Sequence, residues 1–333
     1  MAKYLVFRLV AALISIWAIS VLTFIIIEMP PGNQVERFID LFQNYNDVDP
    51  DPKHVETLRR NLGLDKPNYV RYSKWIWNLL RGKLGMSFQY REIIDIPVKE
   101  MIGDRLWLTV VLTGFTIIVT WTLAIPIGIY SAVRQHSIGD YVFTLVGFSG
   151  LAVPDFLLGL VLMYLFFAYL DMTVGGLFSA DYINVPWSIN KVKDLIDHLW
   201  IPAIVLGTSG TAGLIRVMRN NLLDELSKPY VLTARSKGLS PLRLILKYPV
   251  RVAINPLVST VGYLLPSLVS GSIIVSVVLS LPTLGPLLLE AIEAEDVNLS
   301  GFIILISGIL TVIGTLLSDI LLSIIDPRIK YDV

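Results

Sequence analysis

Cysteine is absent from the 333 residues, which excludes disulfides, thiolate zinc sites and cysteine nucleophiles. Histidine is scarce: His54, His136 and His198 are the whole supply. No two of them are close in sequence, so no histidine-based metal site is expected. Charge is thin as well. Only 16% of residues are Asp, Glu, Lys or Arg, against roughly 25% in soluble domains. The formal net charge is zero, so no overall field points to nucleic acid. A Gly-x-x-x-x-Gly-Lys-Ser/Thr phosphate loop is also missing. In excess are apolar side chains, 54% of the chain, with a mean hydropathy of +0.66. A single globular core cannot hide so much apolar surface. The bilayer is the solvent it suits.

A spanning helix needs about 20 mostly apolar residues. Six runs qualify: Leu5–Ile27, Leu106–Val133, Tyr141–Leu170, Trp200–Leu223, Ala253–Leu281 and Leu299–Ile325. The first follows Lys3 and Arg8 like a signal peptide. It exceeds a signal's apolar core of about 7–15 residues and lacks a small-x-small cleavage site, so it reads as a retained helix, 1–28. Residues 29–104 change character, with charges of both signs, Pro30-Pro31-Gly32 and the tryptophans Trp75 and Trp77. This stretch reads as an insert outside the membrane. Asp47, Asp49 and Asp51 alternate as in a calcium loop, but the loop's glycine and closing glutamate are missing, so an acidic turn is expected. Pro154 breaks the third run, and Pro256 and Pro266 lie in the fifth. Such breaks suit helices that face a bundle or a watery cavity.

Loop charge sets the orientation. Basic residues gather at the N-terminus, at Arg134 and between the fourth and fifth runs, where Arg216, Arg219, Lys228, Arg235, Lys237, Arg243, Lys247 and Arg251 face only Asp224 and Glu225. The alternate loops are acidic. Asp171, Asp181, Asp194 and Asp197 outnumber Lys191 and Lys193, and Glu290, Glu293, Glu295 and Asp296 have no basic neighbour. Both termini are therefore expected in the cytoplasm, with 29–104 and 282–298 outside.

The polar stretch Asp224–Arg251 contains Tyr230-Val231-Leu232-Thr233-Ala234-Arg235-Ser236-Lys237-Gly238. A short helix closed by a glycine cap fits it, with Arg235 and Lys237 suited to the dipole of its last turn. On physical grounds alone it is equally an orientation anchor. Within the fourth run, Gly207-Thr208-Ser209-Gly210 matches the Gly-x-Ser-Gly nucleophile of intramembrane serine proteases. Those enzymes need a histidine base on a later helix, and none follows His198. Gly207, Gly210 and Gly213 instead read as a small-residue stripe for close helix packing. Asp155, just after Pro154, is an ionisable residue at depth. It is a candidate lining the pathway or, equally, a cap on a restarting helix or part of a watery vestibule. Trp121, Trp187 and Trp200 suit interfaces or sugar stacking, and the outer two fit an interfacial belt better.

The 230–238 string resembles the cytoplasmic loop of ABC importer permeases, which in the peptide-type branch reads Tyr-Val-x-Thr-Ala-Arg-x-Lys-Gly. Tyr230, Val231, Thr233, Ala234, Arg235, Lys237 and Gly238 match. The resemblance extends over nearly the whole chain. It includes Pro31-Gly32 after the first run, Leu62-Gly63-Leu64-Asp65-Lys66-Pro67, Leu84-Gly85-x-Ser87, Leu281-Pro282-x-Leu284-Gly285 and Asp326-Pro327-Arg328-Ile329. Pro30 and Asn33 depart from the first motif, and Leu232 replaces the glutamate of the general loop pattern. Pro249 falls where a helix would continue, so a kinked return is expected. In the fifth run, relatives of this branch commonly carry a glutamate where this chain has Ser276, within Ile273–Leu279. A neutral hydroxyl leaves oligosaccharides open beside oligopeptides.

The resemblance implies an all-α type I importer permease of six transmembrane helices, with an extra N-terminal helix, the external insert 29–104 and a five-helix core over 105–333. Its cytoplasmic loop near 224–251 is a coupling helix that sits in a groove on an ATPase. Tyr230, Thr233, Ala234, Arg235, Lys237 and Gly238 are the expected contacts or shape determinants there. Asp155 and Ser276 are the candidate pathway residues. The chain itself carries no cofactor and no catalytic residue, and ATP with magnesium belongs to two partner ATPases. The other implied partners are a homologous second permease, an extracytoplasmic solute-binding protein and the lipid of a bacterial-type inner membrane. The rival readings are an ion-coupled transporter, which calls for internal repeats and buried ionisable relays, and a membrane enzyme. Apart from Asp155, the sequence shows neither set of features.

Overall fold

Inside hydrocarbon a backbone has to satisfy its own polar groups, and helices do so within one segment. The computed structural model describes residues 2–29, 39, 43, 50–62, 66–84, 97–170, 174–183, 185–260, 273–294 and 296–325. Among these residues no β-strand occurs. The helices are α1 (Ala2–Glu28), α2 (Pro52–Leu62), α3 (Asn68–Leu80), α4 (Val98–Val133), α5 (Ile138–Ala152), α6 (Asp155–Leu170), α7 (Ile189–Leu226), α8 (Pro229–Ser236), α9 (Pro241–Lys247), α10 (Pro249–Ala253), α11 (Ile273–Val278), α12 (Leu284–Glu293) and α13 (Val297–Ile325).

α1, α4, α7 and α13 are each long and apolar enough to cross a membrane. The third apolar run is not one helix. It is α5 and α6, bent by 104° at a short break. Pro154 has no N–H and forces the residue before it out of the helical region. Val153 is accordingly extended, at φ −92° and ψ 125°. The middle of the fifth run, 261–272, lies outside the described residues, as do Pro31-Gly32 and Asp326–Ile329.

By internal contact the chain forms two units. One comprises 1–12, 105–287 and 310–333; the other comprises 13–104 and 288–309.

In the larger unit α7 is the central post. Its 38 residues rise about 57 Å, well beyond the roughly 30 Å of hydrocarbon. It therefore starts before the apolar run and carries polar residues at both ends. At its first turn Ser188 caps Lys191 N–H at 3.2 Å. The buried Lys191 ammonium donates to Val185 O at 2.7 Å and lies 4.9 Å from the Phe178 ring. Trp187 packs edge-on against Phe178, and Trp200 does the same against Phe166. Along α7, buried Leu195, Leu199 and Leu206 meet Leu108 and Leu112 of α4 and Val275 of α11. Further along, Leu214, Met218 and Leu222, spaced four apart, pack against Ala124, Ala132 and Ala253. A Cβ at Gly207 would lie 2.7 Å from Thr120 Oγ1, so the α4 and α7 backbones approach closely there. At Gly210 the nearest atom is 3.9 Å away. Among the described residues a Cβ at Gly213 would meet nothing within 4 Å.

In the smaller unit α3 lies on the second half of α1. Arg71 pairs with Glu28 through both guanidinium nitrogens at 2.6 Å. Ser20 Oγ and the Tyr72 hydroxyl share a hydrogen bond of 2.7 Å, and the Phe24 ring packs edge-on against Tyr72.

Candidate functional site

The polar end of α7 leads into the sequence-matched loop, and each turn of that path has a local cause. Ser227 ends α7 and its hydroxyl donates to Asp224 O at 2.8 Å. Lys228 is extended (φ −77°, ψ 148°), as the residue before a proline must be. Pro229 then opens α8 at the first helical position, where its missing N–H costs nothing. Val231 and Ala234 turn inward and are buried with Leu244 of α9, and Leu239, Ile245 and Tyr248 close the small cluster. Leu232, Thr233, Arg235, Ser236 and Lys237 remain exposed. The hydroxyls of Thr233 and Ser236 donate back to carbonyls four residues earlier. Gly238 takes φ +76°, a left-handed turn that a side chain makes costly by about 1–2 kcal/mol. Among the described residues no atom lies within 4 Å of where its Cβ would sit, so the φ and not crowding calls for glycine. Pro241 starts α9 and Pro249 starts α10 across a kink at Tyr248 (φ −114°, ψ −78°). The kinked return expected at Pro249 is present.

The structure thus divides the matched residues. Thr233, Arg235 and Lys237 face outward, Ala234 is internal, and Gly238 shapes the exit. Tyr230 does something else. Its hydroxyl donates to the Glu225 carboxylate at 2.5 Å, and the Lys228 ammonium donates to the other oxygen at 2.5 Å. Glu225 is buried at the end of α7, so it fastens the first turn of α8 to the last turn of α7. Burial, and then the Glu225 carboxylate, push the Tyr230 phenol above its ordinary range, which keeps it a donor. The sequence pattern did not single out Glu225, which stood only as one of two acids among many bases.

Farther along α7, Arg219 grips Asp140 of α5 with two hydrogen bonds of 3.0 Å. Asp140 also accepts from His136 N–H at 3.0 Å. Asp155 begins α6 and accepts from Ser209 Oγ at 3.3 Å, reaching across to α7. The serine of the Gly-x-Ser-Gly string is therefore bonded to a carboxylate. Ser276 is wholly buried in α11 and its hydroxyl has no partner among the described residues.

Residues 124–331 match the family described as binding-protein-dependent transport system inner membrane component, and residues 1–113 match the N-terminal part of such membrane components. An oligopeptide transport system permease protein of Bacillus subtilis is 34% identical, over 99% of this chain and 100% of the relative. A putative peptide permease protein of Brucella ovis is 31% identical over 99% of both chains. A dipeptide transport system permease protein of Escherichia coli K12 is 29% identical over 99% of both. A helical fold among the described residues, several membrane-length apolar helices and a full-length match to these permeases leave one assignment: the chain belongs to the binding-protein-dependent transport system inner membrane component family, as a multi-pass permease component of an ABC importer.

Proposed function

We propose that the chain forms half of the translocation path of a peptide importer and takes its driving force from separate ATPase subunits through α8. The observation that carries this reading is α8 itself. It is a short helix fixed at both ends, with its inner face packed and Leu232, Thr233, Arg235 and Lys237 turned outward. When two ATPases close on ATP, a groove holding that outer face displaces α8. Glu225 then obliges α7 to follow, and the Val231–Ala234–Leu244 cluster carries α9 along with α8. ATP and magnesium reside on the partner subunits.

In this reading six spans cross the inner membrane: α1, α4, the bent α5–α6 pair, α7, the run Ala253–Leu281 and α13. Both termini are cytoplasmic. The stretches 29–104 and 282–298 face outward, toward a solute-binding protein, and a homologous permease supplies the other half of the path. Asp155 lines that path near the α5–α6 bend. Peptides are favoured over oligosaccharides because the three relatives above are all named as peptide permeases.

The test is Gly238→Trp in the assembled, reconstituted complex. The substitution strains the exit of α8, and among the described residues no atom lies within 4 Å of where its Cβ would sit. ATP hydrolysis stimulated by the loaded binding protein falls while the complex stays assembled. Unchanged stimulation removes α8 from the coupling path.

A further inference from the structure

Between α5 and α7 lies a cavity of ≈ 460 Å³ that the coupling reading does not use. Its two ends differ. At one end stand Arg216, Arg219, Asn220 and His136; at the other are Gly147, Leu151 and Ala212. From α5 the wall includes Thr144, Gly147, Phe148 and Leu151, at i, i+3, i+4 and i+7, so one face of that helix runs along it, together with Asp140, Tyr141 and Phe143. The charged end is not neutralised as a whole. Arg219 is spent on the buried Asp140. Arg216, one turn away, is exposed and has no hydrogen bond or ion pair among the described residues.

We propose that this groove holds an anionic phospholipid, with the headgroup phosphate on Arg216 and an acyl chain along Thr144, Gly147, Phe148 and Leu151. Basic pockets between spanning helices recognise acidic headgroups, and a guanidinium presents the planar donor fork that a phosphate matches. The apolar half distinguishes a lipid from a soluble anion, which gains nothing from Gly147, Leu151 and Ala212. Leu145 and Val146 beside the groove are more than half exposed, as a hydrocarbon-facing flank should be. The charged end also lies on the C-terminal side of α7, which leads into the basic stretch Lys228–Arg251 and, in the orientation proposed above, into the headgroups of the cytoplasmic leaflet.

The experiment uses the whole importer complex in nanodiscs, of phosphatidylcholine alone or with phosphatidylglycerol added, and counts retained phosphatidylglycerol by native mass spectrometry. Losing one basic residue beside an acidic headgroup weakens retention about fivefold. Arg216→Gln shows that loss, Arg216→Lys restores most of it, and Arg243→Gln on α9, outside the groove, stays at the wild-type level. Equal loss at Arg243→Gln, or no loss at Arg216→Gln, overturns the proposal. Inorganic phosphate added to phosphatidylcholine discs leaves the thermal midpoint unchanged. A phosphate-dependent rise abolished by Arg216→Gln would assign the site to a soluble anion instead. Wild-type retention with a raised KM for the loaded binding protein in Arg216→Gln places the groove on the solute path and also overturns the lipid.

Discussion

Replacing Glu225 by leucine tests whether α8 moves with α7. The carboxylate holds two donors, and their worth differs with exposure. The Lys228 side chain is 50% exposed, so water screens its share to about 0.5 kcal/mol. The Tyr230 bond reaches a 10% exposed carboxylate and contributes about 1.5 kcal/mol. Together about 2 kcal/mol is lost, a factor of about 30 in the balance between a docked and a loosened first turn of α8. The inner cluster of Val231, Ala234 and Leu244 is untouched, so the helix persists while its hinge softens. In proteoliposomes carrying the whole complex, solute taken up per ATP hydrolysed drops severalfold, and hydrolysis itself continues. Tyr230→Phe, which removes only the phenol oxygen, gives a smaller drop in the same ratio. An unchanged ratio in Glu225→Leu, with the complex intact, refutes the idea that this carboxylate transmits the motion.

Further outcomes follow from the packing of α7. Arg219→Leu leaves the carboxylate of Asp140 buried without its cation, which costs about 3 kcal/mol. That is the lower end for such pairs, since the Arg219 side chain keeps 23% exposure. Combining it with Asp140→Leu recovers most of the loss, as read from thermal unfolding of the purified complex, and additive losses contradict a coupled pair. Gly207→Val drives a side chain against Thr120 and destabilises by about 1–3 kcal/mol. Gly213→Ala, with open space beside it, is neutral or gains up to about 1 kcal/mol of helix propensity. Equal effects at the two glycines contradict the close approach at Gly207.

The coupling segment was legible because its signals are local. Pro229, Pro241 and Pro249 each mark a first turn, and Gly238 marks an exit that needs φ +76°. These properties depend on a few adjacent residues. The pairs that hold the segment and its supporting helix were not legible for the opposite reason. Asp140 and Arg219 are 79 residues apart, and Asp155 and Ser209 are 54 apart. No periodicity within one helix announces a partner on another. Pro154 declared a break, but the 104° bend depends on how α5 and α6 pack against α7. The glycine stripe shows the same limit within one helix. The spacing of Gly207, Gly210 and Gly213 predicts a common face, and only the position of α4 decides that Gly207 alone is crowded. Ser276 matches a family position by its surrounding motif, and a motif match does not say whether a hydroxyl is buried, as this one is.

The central claim is that ATPase motion enters through the outer face of α8. A chain without native cysteine makes the direct measurement available: a single cysteine at the exposed Leu232, and cross-linking across the assembled complex at several ATP-analogue occupancies. The account predicts an efficient cross-link to an ATPase subunit and none from a control cysteine at buried Ala234. A complex that imports solute normally yet gives no cross-link from position 232 to the ATPase would contradict it.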